Sequence, residues 1–165
     1  MRRKLCFGFL LAAVVALVVY SLWRNTPRQR AIRFLAKLSE VTNVDETVSE
    51  LARKARIVKL LNLLVDPVVI EVQAASLKHS ASHDEVSTAY LALMSESDRL
   101  YVGFKRIDVT ESSSSHILVN AQLETECDFS DGRYSVNSPV VISLAEGNEG
   151  LKLSRVVDVS EKLKK

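Results

Sequence analysis

The sequence predicts an α+β domain, with helices packed on a curved antiparallel sheet, behind one transmembrane helix. Three observations predict it. Residues Leu5 to Trp23 carry no charged side chain. Three stretches between Pro27 and Leu100 repeat apolar residues at the spacing of an amphipathic helix. From Ile117 to Val157 apolar and polar residues alternate, and Asp131-Gly132 and "EGNEG" supply hairpin turns. The boundaries that follow are an anchor with a basic flank over 1–25, a domain over 26–160 and a basic tail over 161–165.

The apolar run comes first. Its nineteen residues rise roughly 28 Å as a helix, close to the hydrocarbon thickness of a bilayer. Tyr20 and Trp23 stand near its far end, where amphipathic rings favour the membrane interface. A cleaved leader wants small residues three apart at that end, and here Tyr20, Ser21, Leu22 and Trp23 stand there instead. The run therefore reads as an anchor that stays. Arg2, Arg3 and Lys4 favour a cytoplasmic N-terminus, against Arg24, Arg28, Arg30 and Arg33 on the other side. Because the first cluster abuts the run directly, the domain is expected outside the cytoplasm, on the periplasmic side of an inner membrane.

Pro27 suits the first turn of a helix, and Ala31, Phe34, Leu35, Leu38 and Val41 then fall on one face. A second helix is expected through "VSELARKARIVKLLNLLV". Its apolar face is read as Val48, Leu51, Ala52, Ala55, Val58 and the Leu60–Leu61 region, with Arg53, Lys54 and Lys59 outward. Asp66-Pro67 breaks it, and "VVIEVQAAS" reads as a strand. "KHSASH" reads as a flexible connection. Ser82 and Glu85 form a capping box that opens a third helix, with Val86, Tyr90, Leu93, Ser97 and Leu100 on its stripe. A strand follows over about 101–111, then the polar "SSSS". In the next strand Ile117, Val119, Ala121, Leu123, Thr125, Cys127 and Phe129 share the inward parity. Tyr134, Val136, Ser138, Val140, Ile142 and Leu144 form the inward series of the returning strand, and "LKLSRVVDVS" closes the meander. One apolar sheet face needs cover, and three amphipathic helices can supply it.

Composition narrows the function classes. The net charge is +2, but beyond residue 25 the chain holds 18 basic and 20 acidic residues. A near-neutral domain lacks the concentrated basic footprint of nucleic-acid binding. Two cysteines, Cys6 and Cys127, make no disulfide framework and are expected as free thiols.

This order of elements resembles the nuclear transport factor 2-like superfamily, the cone-shaped α+β fold. The likeness covers roughly residues 28–160. It rests on the long helix over 83–100, the long strand over 115–129, "SDGRYSV" and the ending "GLKLSRVVDV", with Leu151 where the family usually writes tryptophan. The resemblance implies a cone whose interior serves as a catalytic pocket in ketosteroid isomerases and polyketide cyclases, through Asp, Tyr or His. It also implies non-catalytic relatives with one N-terminal membrane helix, among them a scaffold subunit of type IV secretion systems.

Chemistry-bearing residues are sparse. His79 and His83 flank the third helix start and are read as exposed loop residues rather than metal ligands. His116 has the outward parity. Asp108 and Glu111 have the apolar Ile107 and Val109 as neighbours and are expected to point away from the interior. The serine run has no nucleophile elbow and no partner base, and no glycine-rich phosphate loop is present. Tyr90, Phe104, Thr125, Tyr134 and Arg155 are the candidates for lining a pocket. No catalytic residue, metal or cofactor is assigned. The expected role is a membrane-anchored, non-catalytic interaction module of a cell-envelope assembly, with an envelope protein as partner and a homodimer through the sheet compatible with it. The alternative is a small-molecule-binding or isomerase-like enzyme using the cone pocket.

Overall fold

The computed structural model describes residues 24–45 and 49–160. The anchor expected over 1–25 lies outside the described residues, Arg24 and Asn25 apart, as does the tail over 161–165. Among the described residues no helix is long and apolar enough to cross a membrane.

Helix α1 spans Pro27–Thr42 and starts where proline predicts, because Thr26 caps it by accepting the Gln29 N–H. Ala31, Phe34, Leu35, Leu38 and Val41 are its buried residues, the face the spacing gave. Its end is tied down in two ways. Val44 and Leu100 exchange backbone hydrogen bonds of 2.8 and 2.9 Å, and the Asn43 side chain accepts the Val102 N–H at 2.5 Å.

Helix α2 spans Glu50–Asn62, with Ser49 accepting the Ala52 N–H as its cap. Its expected face is corrected by the structure. Leu51 is 80% exposed and Val58 60%, whereas Ile57 and Leu60 are buried. Arg53 and Arg56 cause the rotation. Arg56 donates to the Asn43 carbonyl and Arg53 to the Met94 carbonyl, so both guanidiniums are drawn to the seams with neighbouring elements. Four-residue apolar spacing did not distinguish the two faces, because each carries apolar residues.

Strand β1 spans Leu64–Val72 and already contains Asp66-Pro67, where its pairing shifts register. A strand the sequence reading missed, β2 over Leu77–Ala81, follows a single 3-10 turn at Gln73–Ala75. It takes Leu77 and the first four residues of "KHSASH", and only Ala81 of it is buried. A short, polar edge strand leaves no alternation to read. Helix α3 spans His83–Glu96 behind the expected capping box, complete in both directions between Ser82 and Glu85. Strands β3 over Ser97–Ser112, β4 over His116–Phe129, β5 over Gly132–Gly147 and β6 over Gly150–Asp158 complete the chain.

The sheet has six strands in the order β2-β1-β6-β5-β4-β3. It is mixed, not wholly antiparallel, since β1 runs parallel to β6. Local alternation cannot specify that partner, because β1 and β6 are far apart in sequence. The β3–β4 ladder shifts between Lys105 and Asp108, and Arg106 there takes a positive φ of 51°. Such a bulge bends and twists a strand. The three helices lie on the concave side, over Ile117, Val119, Val140, Ile142 and Leu144.

Candidate functional site

The concave interior is the first place to look for chemistry, and it is filled by hydrocarbon. Leu35, Val119, Ile142 and Leu144 have no exposed surface, and Ile117, Val140 and Met94 have 2% or less. Among the described residues the buried polar side chains are Ser97 and Ser138, and no acid, histidine, lysine or arginine is buried. The Ser97 hydroxyl donates to the Leu93 carbonyl at 2.7 Å, closing the helix end. A general base or an oxyanion donor would need a polar group facing a space for substrate. None is assembled there.

No family model matches the chain, and no curated protein matches it in sequence. Solved structures do match. A protein from Kribbella flavida superposes with a TM-score of 0.65 at 15% identity, over 79% of this chain and 88% of its own. A nuclear transport factor 2-like protein with a cystatin-like fold from Novosphingobium aromaticivorans gives 0.56 at 13% identity, over 90% and 86%. A candidate scytalone dehydratase from the same bacterium gives 0.62 at 10% identity, over 78% and 80%. The fold is the nuclear transport factor 2-like cone. At these identities the likeness concerns the fold alone.

The five pocket candidates do not converge within this cone. Tyr90, at 7% exposure, borders a hollow but spends its hydroxyl on the Val41 and Thr42 carbonyls, at 3.1 and 3.2 Å. Burial pushes its phenol above the ordinary tyrosine value, against a smaller opposite pull from Arg56. Tyr134 is 54% exposed, at an open hollow that it shares with Ser95 and Glu96 at the end of α3. Its ring meets Phe129 edge-on at 5.6 Å, and its hydroxyl donates to Asp131, which raises its pKa. Arg155 points outward and pairs with Glu71 at 2.6 Å. Phe104 packs partly buried against the core, and Thr125 is half-buried.

Three surface features remain. The first is an apolar hollow of about 380 Å³ between α2, α3, β1 and β2, walled by Leu60, Ile70, Ala81, Val86, Ala89 and Leu93. His79 and Glu85 stand at its rim 3.5 Å apart. The Ser82 backbone and hydroxyl hydrogen bonds, with His79 helping, hold the Glu85 carboxyl below the ordinary glutamate value. His83 opens α3 and donates its backbone N–H to the Asp66 carboxylate, while its buried Nε2 has no hydrogen-bond partner.

The second is at the β3–β4 hairpin. The serine run does acquire a base: Ser113 Oγ lies 2.8 Å from His116 Nδ1, and His116 Nε2 lies 3.2 Å from Glu111. Only the hairpin register brings the three together. The hydroxyl also accepts the N–H groups of Ser115 and His116, at 3.3 and 3.1 Å. It thereby serves the turn, and none of the hollows described here reaches it. Asp108 and Glu111 are exposed: Asp108 has the parity opposite to Ile107 and Val109, whereas Glu111 shares theirs and follows the register shift between Val109 and Glu111.

The third is a cleft of about 380 Å³ at the opposite end of the cone from Tyr134, between α1, the end of α2 and the β5–β6 turn. Arg30, Arg33, Lys37, Lys59 and Lys152 line it with one acid, Glu149. Sequence reading missed it because these residues come from three separated segments.

Proposed function

We propose that the chain is a membrane-tethered, non-catalytic cone domain that serves as an interaction module of a cell-envelope assembly, with its helices and sheet surface outside the cytoplasm. The closed interior carries this reading: a cone plugged by Leu35, Val119, Ile142 and Leu144, with no buried acid, histidine, lysine or arginine among the described residues, offers a shape rather than a reaction. The uncharged run from Leu5 to Trp23 supports the tether. The test follows the full chain through membrane fractionation and intact mass. The expected chain keeps its N-terminal run and stays in the membrane after an alkaline wash. A mature chain starting beyond Trp23 and recovered without membrane would end the proposal.

A second reading has its own observation. The apolar hollow beside Tyr90 is large enough for a small hydrophobic molecule, and the His79–Glu85 pair supplies polar groups at its rim. In this reading the domain binds a small apolar ligand at its flank. Filling the hollow with Ala89→Trp would then abolish binding of a fluorescent apolar probe. Equal probe binding by both proteins would remove this reading.

A further inference from the structure

We propose that the basic cleft docks on the membrane that holds the tether, with its cations on the phosphate groups of anionic lipid headgroups. The inference rests on the tethered reading above and adds to it an orientation and a lipid requirement.

The charge balance of the cleft comes first. Five cations face one acid, and Arg30 is already neutralised by both Glu146 carboxylate oxygens at 2.6 Å. Lys37, Lys59 and Lys152 have no ion-pair partner among the described residues. They converge from α1, α2 and β6 around the buried Phe34 and Leu63. Three lysines held together in this way repel one another, and an anion relieves that repulsion.

The position of the cleft comes second. Arg33 donates through Nη2 to the Arg24 carbonyl at 2.6 Å and through Nε to the Gln29 carbonyl at 3.3 Å. Arg24 directly follows the uncharged run in sequence, and this bond fixes the Arg24 backbone beside the cleft wall. A tether ending at Trp23 therefore places the cleft at headgroup depth, where a polybasic surface gains most.

The opposite end of the molecule comes third. Strand β5 runs from a shallow hollow lined by Glu96, Asp98, Asp131 and Tyr134 to the basic cleft. Sixteen strand residues span at most roughly 50 Å. That hollow's lining holds three acids and no base, although Arg99 and Arg133 beside it act on Asp128, so the basic cleft is the more positive of the two ends and lies toward the tether. An anionic surface orients such a body in that sense and repels its other end.

The experiment uses the full chain in nanodiscs of phosphatidylcholine alone, or of phosphatidylcholine with phosphatidylglycerol. Amide hydrogen exchange is read over residues 30–37, 59–63 and 149–152. Protection of these segments is expected to rise severalfold only with the anionic lipid. It should fall back in high salt and in the Lys37→Gln/Lys59→Gln/Lys152→Gln variant. Each lysine near an anionic surface is worth roughly fivefold, so the triple change lowers the docking equilibrium constant about a hundredfold. Lys78→Gln, an exposed lysine elsewhere, should leave protection as it was. If the chain enters the discs and both lipids give equal protection, the headgroup proposal fails and the tether stands. If inorganic phosphate on phosphatidylcholine discs gives the same protection, the cleft is a site for a dissolved anion and the lipid assignment is overturned. If the chain elutes apart from the discs, the tether itself fails and the docking falls with it.

Discussion

Two leucines on one short helix offer a sharp test of how this cone is packed. Leu51 and Leu60 both belong to the apolar repeat of α2, yet the first is 80% exposed and the second 6%. Truncating Leu60 to alanine removes methyl and methylene groups from the core cluster and leaves a cavity. Such changes cost about 2–5 kcal/mol, and about 3 kcal/mol is expected here. Against a total stability of about 5–15 kcal/mol, that is a large share. For a domain of this size it lowers the midpoint of thermal unfolding by roughly 10 °C. Leu51→Ala removes the same atoms from solvent-exposed positions, and alanine is the better helix former. Its effect should stay within about 0.5 kcal/mol. The adjacent pair Ile57→Ala and Val58→Ala repeats the contrast, with 7% against 60% exposure. Thermal melts of the full chain, followed by circular dichroism in mild detergent, measure all four. A Leu51→Ala midpoint as low as that of Leu60→Ala would refute the rotation of α2 and with it the role given to Arg53 and Arg56.

Three other outcomes are expected. Removing the α3 cap with Ser82→Ala should cost about 1 kcal/mol in urea unfolding. Glu85 has a depressed pKa, so its contribution is present above the ordinary glutamate range and is lost as pH falls through the lowered value. Carboxyl NMR should show the Glu85 midpoint moving upward in Ser82→Ala. Tyr90→Phe deprives two carbonyls of a shared donor and should cost about 1 kcal/mol by the same unfolding assay. Because the Tyr90 pKa is raised, its phenol contributes stability below the ordinary tyrosine value that is lost as pH climbs through the raised one, and its absorbance should titrate late. Cys127 is buried and free, so in a Cys6→Ser chain a thiol reagent should react only after denaturant is added.

Local regularity made most of the scaffold legible. Proline at the start of α1, the Ser82–Glu85 box, the hairpin at Asp131-Gly132 and the strict alternation of β4 each have a nearby physical cause. Those causes act over a few residues, so the sequence carries them openly. The α1 face, from Ala31 to Val41, was readable because only one side of that helix is apolar. What escaped was set by distant partners. Strand β2 is a polar edge that exists through pairing with β1, and β1 lies parallel to β6 across most of the chain.

The candidate sites divide in the same way. Periodicity placed Tyr90 on an inward stripe, but its neighbours Val41 and Thr42 decided that its hydroxyl would serve the backbone. Tyr134 has the inward parity too, yet it stands at an open hollow that it shares with Ser95 and Glu96 at the end of α3. An uncharged run of membrane length, three amphipathic helices and an alternating meander can be read without coordinates, because each is written in short-range spacing. Long-range packing settled that the cone is plugged by hydrocarbon, that α2 turns Leu51 and Val58 outward while burying Ile57 and Leu60, and that lysines from three segments meet in one cleft. Packing and charge convergence are properties of residues far apart in the chain, and they exist only once the sheet has closed around the helices.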